Sequence, residues 1–301
     1  MTRHSVVLLA AAVLAASTLA AQSYVPERVY DSRRRQFSDF EAMLADLARA
    51  DIVFVGEQHD DPNTHRLELA VLEGLARRNA RAVVSLEMFE RDVAEILSHF
   101  VQGHVEEEDF LQAARPWPRY QSDYKPLVDF AIGKSWPVIA ANVPRPIAAE
   151  VAKGGLAVLA AKTVDERKLF AADLACPATG DYFKRFAEAM GDHPGADEAT
   201  TRQTTERYYQ SQCVKDETMA ESIAQAVAAN DAAGQKRIIV HYNGAFHSDF
   251  GQGTVERTRR RLRDKRIVVI SVLPVGDLDA ISPNGDERKR GDYLVYTAKT
   301  K

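Results

Sequence analysis

Cysteine is nearly absent: the 301 residues contain two, Cys176 and Cys213. Two cysteines alone make no zinc or iron–sulfur centre. In an oxidising compartment a lone pair is more often a disulfide than two free thiols, and closing this loop would add about 3 kcal/mol. The competing reading is two small buried hydrophobes. An excess of basic charge is also missing. Lys and Arg number 39 against 43 Asp and Glu, for a net charge of −4, which excludes a nucleic-acid partner of the usual strongly basic kind. The local run Arg257–Arg263 reads as a solvated helix face. Internal repeats and low-complexity tracts are absent too.

Beyond the first twenty residues no apolar run resembles a membrane span. The N-terminal segment itself has Arg3 and His4 ahead of an apolar stretch from Val6 to Leu19, followed by Ala20 and Ala21. That is short for a bilayer span and carries the pattern of a cleavable secretory signal over residues 1–21. Export to the periplasm is therefore expected. Gln22 stands where a lipoprotein signal would need cysteine, so lipid anchoring is not expected.

The remaining chain alternates strand and helix patterns. Ser38 and Glu41 form a capping box for a helix to about Ala50. Ile52–Val55 is continuously apolar, as in a strand buried on both faces of a parallel sheet. A helix capped by Asn63 or Thr64 leads to a second strand at Ala82–Leu86, and further strands are expected at Val138–Ala141, Arg237–Val240, Ile267–Val272 and Leu294–Tyr296. The fold class is thus α/β, a mostly parallel sheet with helices on both faces. Pro146 to Gly234 shows no strand signal. The organisation read from this is an α/β domain over 22–150 and 235–301, with a smaller all-helical insert domain at 151–234.

Polar residues gather where the strands end. The first strand runs into Gly56-Glu57-Gln58-His59, the second into Glu87, the third toward Arg145 and the fourth toward His247. In a doubly wound sheet these exits share the carboxyl edge, where ligands bind. Each residue alone has a structural explanation, such as capping or a satisfied hydrogen bond. Together Glu57, His59, Glu87, Arg145 and His247 read as one site. The two carboxylates and two imidazoles, Glu57, His59, Glu87 and His247, can hold a divalent metal ion that activates water. Without metal, Glu57 can orient His59 as a general base and Arg145 can stabilise an oxyanion. Glycine three residues before each histidine, at Gly56 and Gly244, is expected to let the chain turn sharply.

The phrases Val55-Gly56-Glu57-Gln58-His59-Asp60, Ser85-Leu86-Glu87-Met88-Phe89-Glu90 and Asn243-Gly244-Ala245-Phe246-His247 resemble signatures of the ChaN and Tiki superfamily. So do Gln212–Ala220 and Trp117-Pro118-Arg119-Tyr120 with Tyr124-Lys125-Pro126-Leu127. The ChaN-like haem-binding uptake branch is the nearest in pattern. It implies a parallel-sheet domain, a small helical domain and haem binding, as a dimer with paired haems and with outer-membrane haem or iron transport components as partners. Tiki-like peptidases and erythromycin esterases are the enzymatic relatives, and their catalytic residues would map onto Glu57, His59, Glu87 and His247. ChaN-like proteins are typically lipidated, and Gln22 departs from that. The chain has no c-type attachment motif, so haem would be non-covalent. Tyr182 and His193, eleven positions apart on one helical face, are candidate haem contacts. Tyr242 is a further candidate, followed by Tyr208 and Tyr209. The leading expectation is an exported haem-binding protein; the alternative is a metal-dependent hydrolase.

Overall fold

The computed structural model describes residues 26–191 and 198–300. The signal-like segment at 1–21 and His193 lie outside the described residues.

The apolar runs form one eight-stranded sheet. Its strands are β1 (Glu27–Asp31), β2 (Gln36–Ser38), β3 (Ile52–Glu57), β4 (Ala82–Glu90), β5 (Val138–Asn142), β6 (Ile238–Gly244), β7 (Ile267–Val275) and β8 (Tyr293–Ala298). The order across the sheet is β2-β1-β8-β7-β3-β6-β4-β5. From β8 to β5 every pairing is parallel, while β1 runs antiparallel to both β8 and β2. The expected α/β class holds.

Strand β3 lies inside the sheet with all six residues buried. Because successive side chains point to opposite faces, Val53 and Val55 join one core cluster while Ile52 and Phe54 join another. The first cluster is covered by α1 (Phe40–Leu47), α2 (Pro62–Arg77) and α6 (Lys125–Gly133), through residues such as Leu44, Val71, Leu75 and Leu127. The second face is covered by α9 (Glu198–Ala232) and α10 (Gly253–Arg261), through Ile223, Val227 and Val255. The other helices are α3 (Ala94–Val101), α4 (Glu107–Ala114), α5 (Tyr120–Asp123), α7 (Arg145–Gly154) and α8 (Gly180–Met190). None in the described residues is long and apolar enough to cross a membrane.

Three local expectations are corrected. Ser38 pairs with Val29 in β2, so Asp39 caps α1 by accepting from the Ala42 amide at 2.6 Å. Asp61, rather than Asn63 or Thr64, caps α2 by accepting from the Thr64 amide at 2.9 Å, with Pro62 opening the helix. Arg257, Arg260 and Arg261 do not form a solvated face: all three converge on the buried carboxylate of Glu217. Cys176 and Cys213 are joined in a disulfide, as the pairing reading expected.

Candidate functional site

The parallel register places the expected strand exits on one edge. Glu57 is the last residue of β3, and His59 follows two residues later in the turn beyond it. Tyr124, opening into α6, donates its hydroxyl to Glu57 Oε1 at 3.0 Å, and the same oxygen bonds His59 Nδ1. Strand β4 runs further than its apolar pattern, so Glu87 lies within it and not beyond it. Its Oε2 accepts from the Gly244 amide at 2.8 Å, tying β4 to the end of β6.

His247 sits in the short turn after β6, only 5% exposed. Its Nδ1 donates to Asp216 Oδ1 at 2.7 Å, and its Nε2 lies 3.4 Å from Glu87 Oε1. The Gln212 amide nitrogen also stands 3.3 Å from both ring nitrogens, while the two flanking carboxylates favour the charged form of the ring. Burial opposes that charge, but Glu87 and Asp216 outweigh it and lift the ring to about 10. In return, burial notwithstanding, the His247 charge holds Glu87 and Asp216 below the ordinary carboxylate range. For His59, burial again opposes the charged form, and the bond to Glu57 wins, so it titrates above its usual value.

Arg145 opens α7 and reaches back to Glu90 Oε1 at 2.8 Å, with its guanidinium 5.7 Å from the Trp117 ring centre. Trp117 in turn meets the His59 ring edge-on at 5.3 Å. His59, Glu87, Trp117, Arg145, Tyr208 and His247 line one cleft of about 620 Å³. The rest of the lining is the alanine face of α7, Ala148, Ala149 and Ala152, with Lys153 and Lys215 beside it and Glu90, Asn142, Val143 and Ser211 completing it. Four of the five expected site residues therefore share a cleft, and Glu57 lies buried beneath it under His59.

The glycines act differently from the turn expected of them. Neither Gly56 nor Gly244 has positive φ. What each permits is close approach: a β-carbon on Gly244 would stand 2.6 Å from His59 Nε2, and one on Gly56 would stand 2.7 Å from Ser248 Oγ.

The expected metal set is not gathered as such. His247 is bonded to Asp216 through Nδ1, and the ligand atoms that approach one another among the described residues belong to Glu57, His65 and Glu68. The candidate haem tyrosines also part company. Tyr182 is buried, and its hydroxyl donates to Asp216 Oδ2 at 2.7 Å, outside the cleft lining. Tyr242 is fully buried in β6, its hydroxyl directed at the Glu68 carbonyl, so it has no face to offer a ligand. Tyr209 is packed among Tyr182, Phe183 and Phe186. Tyr208, 44% exposed, is the tyrosine in the cleft.

Sequence reasoning missed Asp216, the residue that completes the His247 arrangement. It lies mid-helix in α9, where periodicity marks a face but names no partner. Burial at 0% exposure is compensated by three donors, His247, Thr254 and Tyr182.

Several comparisons bear on this arrangement. The structure of ChaN of Campylobacter jejuni, described as showing cofacial heme binding, is similar with a TM-score of 0.66 over 90% of this chain and 96% of that one, at 16% identity. At that identity the likeness shows the fold. The chloroplastic protein RETICULATA-RELATED 5 of Arabidopsis thaliana is 24% identical over 265 residues, 84% of this chain. The chain spans about a third of that relative, 35% of its length. Residues 43–258 match the family described as haem-binding uptake, Tiki superfamily, ChaN. With most of the chain, and the whole lining of the strand-end cleft from His59 to His247, inside that match, this protein belongs to the ChaN haem-binding uptake family of the Tiki superfamily.

Proposed function

We propose that this protein is an exported haem-binding protein of haem or iron uptake, and that the strand-end cleft holds the porphyrin. The observation that carries the reading is the composition of the cleft. A porphyrin needs an apolar slot, cations for its propionates and a donor for iron, which in haem proteins is histidine or tyrosinate among others. The cleft supplies Trp117 and the small side chains of α7, the cations Arg145, Lys153 and Lys215, and the exposed phenol of Tyr208. These residues fit the group. Tyr208 would take the iron and the three cations the propionates. When bound, the haem supplies iron as cargo or as a redox centre.

The same geometry favours binding over hydrolysis. A general base must be free to accept a proton near neutral pH, whereas Glu87 and Asp216 favour the charged form of His247, and Glu57 that of His59. The disulfide supports a location in an oxidising compartment. Assembly as a homodimer with paired haems, and handover to outer-membrane transport components, belong to this proposal through the family.

Titrating the protein with ferric haem and following the visible spectrum tests it. A saturable change is expected, with affinity reduced at least about tenfold and a different iron spectrum in Tyr208→Phe, the equivalent of losing about 1.4 kcal/mol. No saturable change in the native protein contradicts haem binding; an unaltered Tyr208→Phe spectrum contradicts the ligand assignment.

A further inference from the structure

We propose that Glu57, His65 and Glu68 form a closed site for a first-row divalent cation, beneath the cleft and distinct from it. His65 and Glu68 lie one turn apart on the first turns of α2, and Glu57 ends the strand that leads into that helix. Their exposures are 4%, 0% and 1%. His65 Nδ1 stands 3.0 Å from Glu68 Oε2 and 3.5 Å from Glu57 Oε2, and a ligand atom from each residue lies within 4.8 Å of the others.

The orientation of the imidazole is informative. Its Nε2 lies 3.1 Å from the His59 carbonyl oxygen and 3.4 Å from Asp123 Oδ2. A carbonyl can only accept, so Nε2 faces outward as a donor, and Nδ1 is turned inward toward Glu68 Oε2 and Glu57 Oε2. This is the outer arrangement that metal-bound histidines use, the far nitrogen donating to a carbonyl or carboxylate.

Independent of the ring, two oxygens in the cluster are left over. Glu57 spends Oε1 on His59 and Tyr124, while its Oε2 is buried with no hydrogen bond. Glu68 Oε1 is likewise buried without a partner. Buried carboxylate oxygens stay unpaired only at a cost unless a cation or a proton sits between them. The nearby guanidinium of Arg119 is directed to Asp123 at 2.8 Å. One imidazole and two carboxylates suit Mn²⁺, Fe²⁺ or Zn²⁺ among common ions. With all three ligands buried, the role is structural: the ion would clamp the start of α2 to the end of β3 and so hold the intervening loop that carries His59.

The test uses haem-free full-length protein, dialysed against a chelator and then titrated separately with Mn²⁺ and Zn²⁺. Bound metal is measured by elemental analysis and Mn²⁺ by electron paramagnetic resonance, alongside the thermal midpoint. About one equivalent of at least one of the two ions per chain is expected, with a raised midpoint and at least about tenfold weaker uptake in Glu68→Gln and His65→Asn, the loss typical of a disturbed metal shell. Absence of saturable uptake by the native chain overturns the proposal. So does uptake that survives Glu68→Gln, which places the ion elsewhere. A Glu68→Gln midpoint equal to or above that of the chelated native chain, without native uptake, identifies a shared proton as the occupant. Should the variants fail to fold, the native chain decides alone: a midpoint indifferent to chelator and to both ions also overturns it.

Discussion

Replacing Asp216 by asparagine removes one of the two charges that hold His247 as an imidazolium. In the native protein Asp216 is wholly buried and accepts from His247, Thr254 and Tyr182 at 2.7, 2.8 and 2.7 Å. An asparagine oxygen can keep some of these bonds but carries no charge. Breaking a buried ion pair from one side costs about 3–5 kcal/mol. The pH dependence has a definite sign. His247 rises from 6.5 to about 10 on folding, so its contribution is fully present below pH 6.5 and is lost as pH rises through about 10. Asp216 and Glu87 are depressed from 3.8 and 4.5, so theirs is present above those values and lost as pH falls through the depressed ones. The arrangement therefore stabilises most between about pH 4.5 and 6.5. Urea unfolding of native protein and Asp216→Asn at pH 6 should differ by about 3–5 kcal/mol, and the difference should shrink above pH 10, where His247 is neutral in both. The variant should also lose part of the native decline between pH 6.5 and 10. A variant within about 0.5 kcal/mol of native at pH 6, the range of an inconsequential surface change, would show that Asp216 does not stabilise a charged His247.

Three further outcomes are expected. Reducing the Cys176–Cys213 bond, which closes a separation of 37 residues, should lower stability by about 3–4 kcal/mol; free thiols in unreduced, denatured protein would contradict the bond. Gly56→Ala should destabilise by about 1–3 kcal/mol through overpacking, because its β-carbon would meet Ser248 Oγ at 2.7 Å and the Ala245 Cα at 3.1 Å; calorimetry checks it, and an unchanged midpoint contradicts the close approach. Mass spectrometry of protein from the producing cell should find a mature chain beginning at Ala21 or Gln22 without lipid, and a retained Met1 or a diacylglyceryl adduct would contradict export as proposed.

What could be read from sequence follows from the physics of each element. Strands β3 to β7 are apolar runs because both faces of a parallel sheet are buried, and such runs announce themselves. Strands β1 and β2 did not: Glu-Arg-Val-Tyr-Asp and Gln-Phe-Ser are short and mixed in polarity, and only their antiparallel pairing reveals them. Glu57, His59, Glu87, Arg145 and His247 were legible as a group because strand ends in this topology share an edge. Asp216 was not, because its partners His247, Thr254 and Tyr182 come from three other segments. Helical spacing likewise placed Tyr182 on a face, but whether that face met a ligand or Asp216 was decided by packing between helices.

The proposed haem site is the cleft between Trp117, Tyr208 and the alanine face of α7. A crystal structure of the protein with ferric haem tests it directly. Porphyrin density is expected in that cleft, with Tyr208 at the iron and Arg145 among the groups at the propionates. Porphyrin density elsewhere, such as the separate pocket beside Tyr182 and Arg257, with the strand-end cleft empty, would contradict it.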